Sequence, residues 1–170
     1  MRHLLQISFL LFFMGYSFNL DAQTETSVVK GDTSPLWQLM RQDSSQLLLE
    51  DVDADYILLF FWHYSCSHCQ LALTKIDKFL AEEKPERFKI VSIYPFAEDR
   101  TGFFNYVNDP ENLLTDSTFI HTIDHKATTR RAFSMKGAPP LLILMNKEGK
   151  ILAINFKATK LKDEWRRRAE

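Results

Sequence analysis

The stretch from residue 56 to residue 80 constrains the fold more than any other part of the sequence, because its hydrophobic period changes sharply in the middle. Residues 56–62 form an unbroken apolar run, which is typical of a strand covered on both faces. Beyond Cys69 the apolar positions become 72, 73, 76, 79 and 80, which is the spacing of one helix face. The chain is therefore predicted to pass from a buried strand into a helix close to Cys66.

The only two cysteines of the sequence, Cys66 and Cys69, stand at this junction. A helix start presents unpaired N–H groups and partial positive charge, and both stabilise a thiolate. We therefore expect Cys66 to be the nucleophile. Cys69 follows one turn later on the apolar face, buried and placed to attack a mixed disulfide on Cys66. His68 adds positive potential that favours the Cys66 thiolate and the reduced form, so these three residues are the predicted catalytic group.

A C-x-x-C pair also occurs as half of a zinc site, so a copper- or zinc-handling protein is the alternative function. A structural zinc site usually has four ligands, and the sequence contains no second pair of this kind. Cu(I) suits thiolates combined with imidazoles, and His63, His121 and His125 are candidates in addition to His68. A purely stabilising disulfide is disfavoured, because a bridge between residues three apart constrains little chain entropy. The redox interpretation is preferred, and it predicts neither a metal nor a cofactor.

Residues 1–22 have the organisation of a secretory signal peptide, with Arg2 and His3 ahead of an apolar run at 4–14. That run is shorter than the ~20 residues of a membrane span, and no later segment reaches that length. We expect cleavage after Ala22, an exported (periplasmic or extracytoplasmic) protein and no membrane span afterwards; an uncleaved anchor is the alternative. Exported proteins that use cysteine for stability usually carry several pairs, so a single close pair indicates chemistry.

The remaining composition is that of one globular domain. The chain has 170 residues, of which 45% are hydrophobic, and its net charge is −1, which gives no indication of a nucleic-acid partner. Residues 23–44 are predicted to be a lead-in, with a short helix after Ser34-Pro35, and residues 45–170 to be the domain.

The hydrophobic pattern and the turn residues predict an alternation of strands and helices that ends in a hairpin. Strands are predicted at 46–50, 56–62, 88–94, 118–122, 141–145 and 150–156, and helices at 66–84, 101–107, 128–134 and 160–170.

A second motif makes a family resemblance specific. Gly137-Ala138-Pro139, followed by the apolar run 141–144, resembles the cis-proline motif of the thioredoxin fold, and Trp62 matches the tryptophan before its dithiol. The resemblance covers residues 45–170. It implies an α/β, thioredoxin-like fold: three α/β/α layers, a central mixed sheet and a C-terminal antiparallel hairpin. The segment between the dithiol and the proline motif, residues 67–138, is longer than a minimal thioredoxin requires. This central insertion and the export signal are similar to those of the TlpA/ResA-type extracytoplasmic thiol-disulfide oxidoreductases.

This resemblance implies how a substrate would be held. The bond between Ala138 and Pro139 is expected to be cis and to face Cys66, with a substrate chain pairing with the backbone of Ala138. Trp62 and Tyr64 are expected to form the walls of the site. The predicted substrate-binding residues are therefore Trp62, Tyr64, Ala138 and Pro139. The implied partners are proteins with exchangeable thiols or disulfides and a separate redox partner protein.

Three positions depart from the family pattern. Phe60 and Ala72 occupy the positions of buried acids, and Thr74 replaces a helix-kinking proline. Cys69 therefore has no predicted proton acceptor, and resolution of the mixed disulfide is expected either to be slow or to use water or another group.

Overall fold

The computed structural model describes residues 28–112, 114 and 116–169. The signal peptide predicted at 1–22 lies outside these residues. No helix in the described part of the chain is long and apolar enough to cross a membrane.

Seven strands form one mixed sheet in the order β2-β1-β5-β4-β3-β6-β7. β3 lies in the interior of the sheet, parallel to β4 and antiparallel to β6, and β7 completes the C-terminal hairpin. The full apolar run therefore becomes a strand with a hydrogen-bonded neighbour on each side, as its composition predicts. The strands are β1 (Leu39–Met40), β2 (Gln46–Leu47), β3 (Tyr56–Phe61), β4 (Phe88–Tyr94), β5 (Phe119–Asp124), β6 (Leu141–Asn146) and β7 (Ile151–Ile154).

Three of the four helices cover one face of the sheet, and the N-terminal segment with the residues after α3 covers the other. The helices are α1 (Ser67–Glu83), α2 (Arg100–Val107), α3 (Thr128–Ala132) and α4 (Leu161–Ala169). Alternate residues of β3 separate the two halves of the core: Leu58 and Phe60 pack with α1, α2 and α4, whereas Ile57 and Leu59 pack with the N-terminal segment and the residues after α3. The predicted fold class is confirmed.

The N-terminal segment differs from its prediction. No helix follows Ser34-Pro35; the chain instead enters the sheet as β1, which pairs with β2 and β5. Trp37 and Leu39 are buried, whereas Leu36, which directly follows Pro35, is 90% exposed. This is the period of a strand, and an exposed leucine at position 36 made it resemble a helix. The sheet therefore begins before residue 45.

The dithiol helix α1 is fixed at its far end. Lys84 adopts the left-handed conformation and its N–H donates to the Leu80 carbonyl, which ends the helix ahead of Pro85. The carboxylate of Glu83 contacts both Lys162 and Arg166 of α4. These contacts hold the C-terminal end of α1 in place. The first turn, at the opposite end, contains the dithiol.

Candidate functional site

Cys66 is the N-cap of α1, and its sulfur accepts a hydrogen bond from the Cys69 N–H at 3.3 Å. It is partly exposed, whereas Cys69 is completely buried, and both are free thiols. Burial, reinforced by the neighbouring Cys66, raises the pKa of Cys69 to about 12, although a backbone hydrogen bond from His63 acts in the opposite direction. The geometry thus makes Cys66 the accessible sulfur and keeps Cys69 protonated near neutral pH.

The proline loop before β6 faces Cys66, but its cis bond lies one residue later than predicted. The cis peptide bond joins Pro139 and Pro140, so the expectation of a cis bond between Ala138 and Pro139 is wrong. Either the Ala138–Pro139 bond or the Pro139–Pro140 bond could be cis, and the family pattern predicted the former. The Cys66 sulfur is 3.9 Å from the carbonyl oxygen of Pro139, whereas Ala138 is exposed. Pro139 therefore takes the position expected of Ala138 beside the dithiol.

Trp62 is part of the core next to the site, and its side chain exposes no surface that a substrate could contact. It is completely buried, stacks on Phe60 and meets the edge of Phe103. Its indole N–H donates to the hydroxyl oxygen of Ser92 at 2.7 Å. The predicted substrate contact at Trp62 is therefore corrected to a packing role, because the last position before the loop still continues the buried face of β3.

Tyr64 belongs to an aromatic cluster organised around one carboxylate. Its ring stacks on His63, Tyr94 and Tyr106. The hydroxyls of Tyr64 and Tyr94 both donate to Asp99, the latter at 3.0 Å, and the Tyr94 hydroxyl also lies 3.2 Å from the Nε2 atom of His63. The cluster fixes the loop between β3 and α1, on which Cys66 is presented.

Two residues that the sequence analysis did not predict, Asp99 and Gln70, belong to this part of the molecule. Asp99 directly precedes α2, and no motif in the sequence distinguishes it from the other acidic residues. The Gln70 side-chain amide donates to the Tyr64 carbonyl at 2.6 Å and to the Tyr106 hydroxyl at 2.9 Å. A glutamine directly after the second cysteine, on the predicted helix, was the one available signal.

The histidines proposed for a metal site do not come together. His121 lies in β5, where its Nε2 atom is 2.9 Å from the Leu114 carbonyl and burial lowers its pKa. His125 follows in the next turn, and His68 is exposed in the first turn of α1. Within the described residues, no three His, Cys, Asp or Glu side chains are grouped as metal ligands.

Alkylation of the reduced protein should distinguish the two sulfurs. Near neutral pH we expect iodoacetamide to modify Cys66 first, because the thiolate is the reactive form and Cys69 is both buried and protonated. Peptide mass spectrometry after partial labelling measures the order. In a Cys66→Ser control, Cys69 should remain slow until the protein is denatured; preferential labelling of Cys69 in the wild type would contradict the assignment.

Asp99 should contribute a pH-dependent part of the stability. Hydrogen bonds from Tyr64 and then Tyr94 hold the pKa of Asp99 below its usual value, so its contribution is present above about pH 4 and is lost as the pH falls through the lowered pKa. Urea unfolding of Asp99→Asn against wild type should show a difference at neutral pH that shrinks in acid. The exposed residue Glu98 provides the matched control, Glu98→Gln. An Asp99→Asn difference that is equal at both pH values would refute this contribution.

The position of the dithiol in the sheet defines the class of protein. The pair starts the helix that follows the interior strand β3 and faces a cis-proline loop, an arrangement that places the chain among thioredoxin-like oxidoreductases. The chain belongs to the AhpC/TSA family, whose family model matches residues 30–154.

Solved structures share this fold at low sequence identity. A thioredoxin domain of a thiol-disulfide oxidoreductase from Bacteroides vulgatus superposes with a TM-score of 0.65 and 19% identity, over 83% of this chain and 98% of that one. A thiol:disulfide interchange protein from Bacteroides sp. gives a TM-score of 0.66 and 18% identity, over 83% and 90% of the two chains. A thioredoxin-like protein from Bacteroides caccae gives 0.64 and 22%; the match covers 82% of this chain and only 50% of that protein. The comparison with curated protein sequences finds no match.

Proposed function

We propose that this protein is an exported thiol-disulfide oxidoreductase that exchanges disulfides with protein substrates through Cys66 and Cys69. The observation that carries the proposal is the asymmetry of the pair: one sulfur is accessible at a helix start, and the other is buried one turn behind it. The organisation of residues 1–22 supports export, which N-terminal sequencing of the mature protein would test by finding Gln23 first.

The reaction follows from this asymmetry. The Cys66 thiolate attacks one sulfur of a substrate disulfide; the substrate S–S bond breaks, a mixed disulfide forms and one substrate thiolate leaves. Cys69 then gives up its proton and attacks the Cys66 sulfur. The mixed disulfide breaks, the Cys66–Cys69 disulfide forms and the second substrate thiolate leaves, so two electrons have passed to the substrate. In the reverse direction the oxidised pair accepts two electrons from a substrate dithiol.

His68 is the third member of the proposed catalytic group. It is exposed between the two cysteines, in the first turn of α1. A positive charge there would favour the Cys66 thiolate and so the reduced form of the pair. We expect His68→Pro to make the reduction potential more negative. Equilibration with glutathione buffers measures the shift, and an unchanged potential would remove His68 from the catalytic group.

Thiol counting tests the function directly. The reduced protein, mixed with a model protein that contains one accessible disulfide, should lose two thiols while the substrate gains two. The same transfer in the presence of a metal chelator separates this function from metal handling. Absence of transfer, or transfer that requires added zinc or copper, would overturn the proposal.

A further inference from the structure

A groove of about 720 Å³ opens beside the dithiol, on the side of His68. Its apolar lining includes Leu71 from α1, the proline pair Pro139 and Pro140, and Phe156 from the segment after β7. Leu71 is 59% exposed, although it is a large apolar side chain, and it follows His68 by about one turn of α1. Three lysines form the rim of this groove: Lys75, Lys136 and Lys157. We call the whole feature the lysine-rimmed groove.

The charged side chains that line the groove are all positive. All three rim lysines are exposed, and none forms an ion pair with another described residue. The described residues that line the groove include no Asp or Glu. The chain as a whole carries a net charge of only −1, so this positive edge is local to the groove. A cationic rim around an apolar floor attracts anionic groups and favours a ligand that also covers the floor.

The proline loop offers little to a chain that would bind by strand pairing. Pairing at one residue requires a donor and an acceptor, but neither Pro139 nor Pro140 has an N–H. What remains beside Cys66 is the carbonyl of Pro139, as an acceptor only. Recognition must therefore depend more on side-chain contacts in the groove than on backbone pairing.

We infer that the lysine-rimmed groove binds an acidic, apolar polypeptide segment that carries the exchanging cysteine. This inference rests on the proposed function and specifies its substrate class. The volume accommodates a few side chains, which suits a segment next to a substrate cysteine. A small polar disulfide such as oxidised glutathione has no apolar side chain to cover Leu71 and Phe156, so the occupant is a polypeptide.

Matched peptides test the charge preference. Two peptides that form the same disulfide with an aromatic thiol, with Leu and Phe next to the cysteine, differ only in carrying two Glu or two Lys. With the full mature chain at low salt, we expect the acidic peptide to exchange about tenfold faster. The advantage should largely disappear at 1 M salt, where the screening length is only about 3 Å.

Variants of the protein locate the effect. Lys75→Gln, Lys136→Gln and Lys157→Gln combined should remove most of the advantage of the acidic peptide. Lys150→Gln is the control, because this exposed lysine is at the hairpin turn, at the end of β6 away from the prolines. Leu71→Ser should slow the apolar acidic peptide but not an acidic peptide with Gly in place of Leu and Phe.

The uncharged bis(2-hydroxyethyl) disulfide separates failure of the groove from failure of the function. It should react with the wild type and the triple variant at equal rates. If it does not react at all, the proposed function fails. If it reacts but the peptides show no charge preference, or oxidised glutathione depends on Leu71 and the three lysines as strongly as the acidic peptide does, the inference is overturned. An equal slowing of the uncharged disulfide in the triple variant would place the lysines' effect on Cys66 itself and also overturn it.

Discussion

Replacing Cys66 by serine is expected to reduce disulfide exchange to the uncatalysed background. A serine hydroxyl is neither ionised at neutral pH nor able to form a disulfide, and the second sulfur cannot take over, because Cys69 is buried and its pKa is raised to about 12. Transfer of electrons to a model protein disulfide, followed by mass spectrometry of non-reduced samples, measures the effect.

Cys69→Ser provides the matched control for this loss. The variant retains the accessible nucleophile, so the first exchange should proceed and a mixed disulfide between Cys66 and the substrate should accumulate. The two variants should therefore fail in different ways. Accumulation of a mixed disulfide by Cys66→Ser would show that Cys69 is the attacking sulfur and would refute the assignment.

Replacing Trp62 by alanine should be among the most destabilising single changes in the molecule. The side chain is completely buried between Phe60 and Phe103, and its removal leaves a cavity and an unpaired hydroxyl on Ser92. We expect the free energy of unfolding to fall by about 3–5 kcal/mol. Urea denaturation of the reduced protein measures this change.

Leu36→Ala is the control for burial, because it truncates an exposed apolar side chain. Leu36 is 90% exposed, so its truncation should change the free energy of unfolding by no more than about 0.5 kcal/mol. A Trp62→Ala loss as small as that of the control would mean that Trp62 is not packed as described, and would reopen a direct contact with substrate.

The central part of the fold could be predicted because local pattern and tertiary role agree there. The run 56–62 and the helical spacing after Cys69 became β3 and α1, and the hairpin at the C-terminus was also predicted. Each of these segments is buried continuously along its length, so its apolar residues follow a regular period that can be recognised in the sequence. The period-two alternation at 36–39 also survives, but it is brief and includes an exposed leucine, which explains the mistaken helix.

The surroundings of the dithiol could be predicted only in part, because they are assembled from separate segments. The loop at 137–140 was identified, but two adjacent prolines left the position of the cis bond to analogy. Asp99 joins Tyr64 and Tyr94 from the start of α2, and the three rim lysines come from α1, the proline loop and the segment after β7. Nothing in the spacing of such residues indicates that they meet in space.

The edges of the sheet have a consequence for a protein that would handle partly unfolded chains. β2 has only two residues at one edge, and at the other edge the backbone of residues 31–34 pairs with residues 149–151 at the start of β7. Exposed strand edges recruit extended polypeptides and lead to aggregation. The two-residue strands at one edge and the pairing at the start of β7 at the other shorten the open edges that an extended chain could join. If the proposed substrates are partly folded polypeptides, short open edges favour their contact with Cys66 over their addition to the sheet as an extra strand.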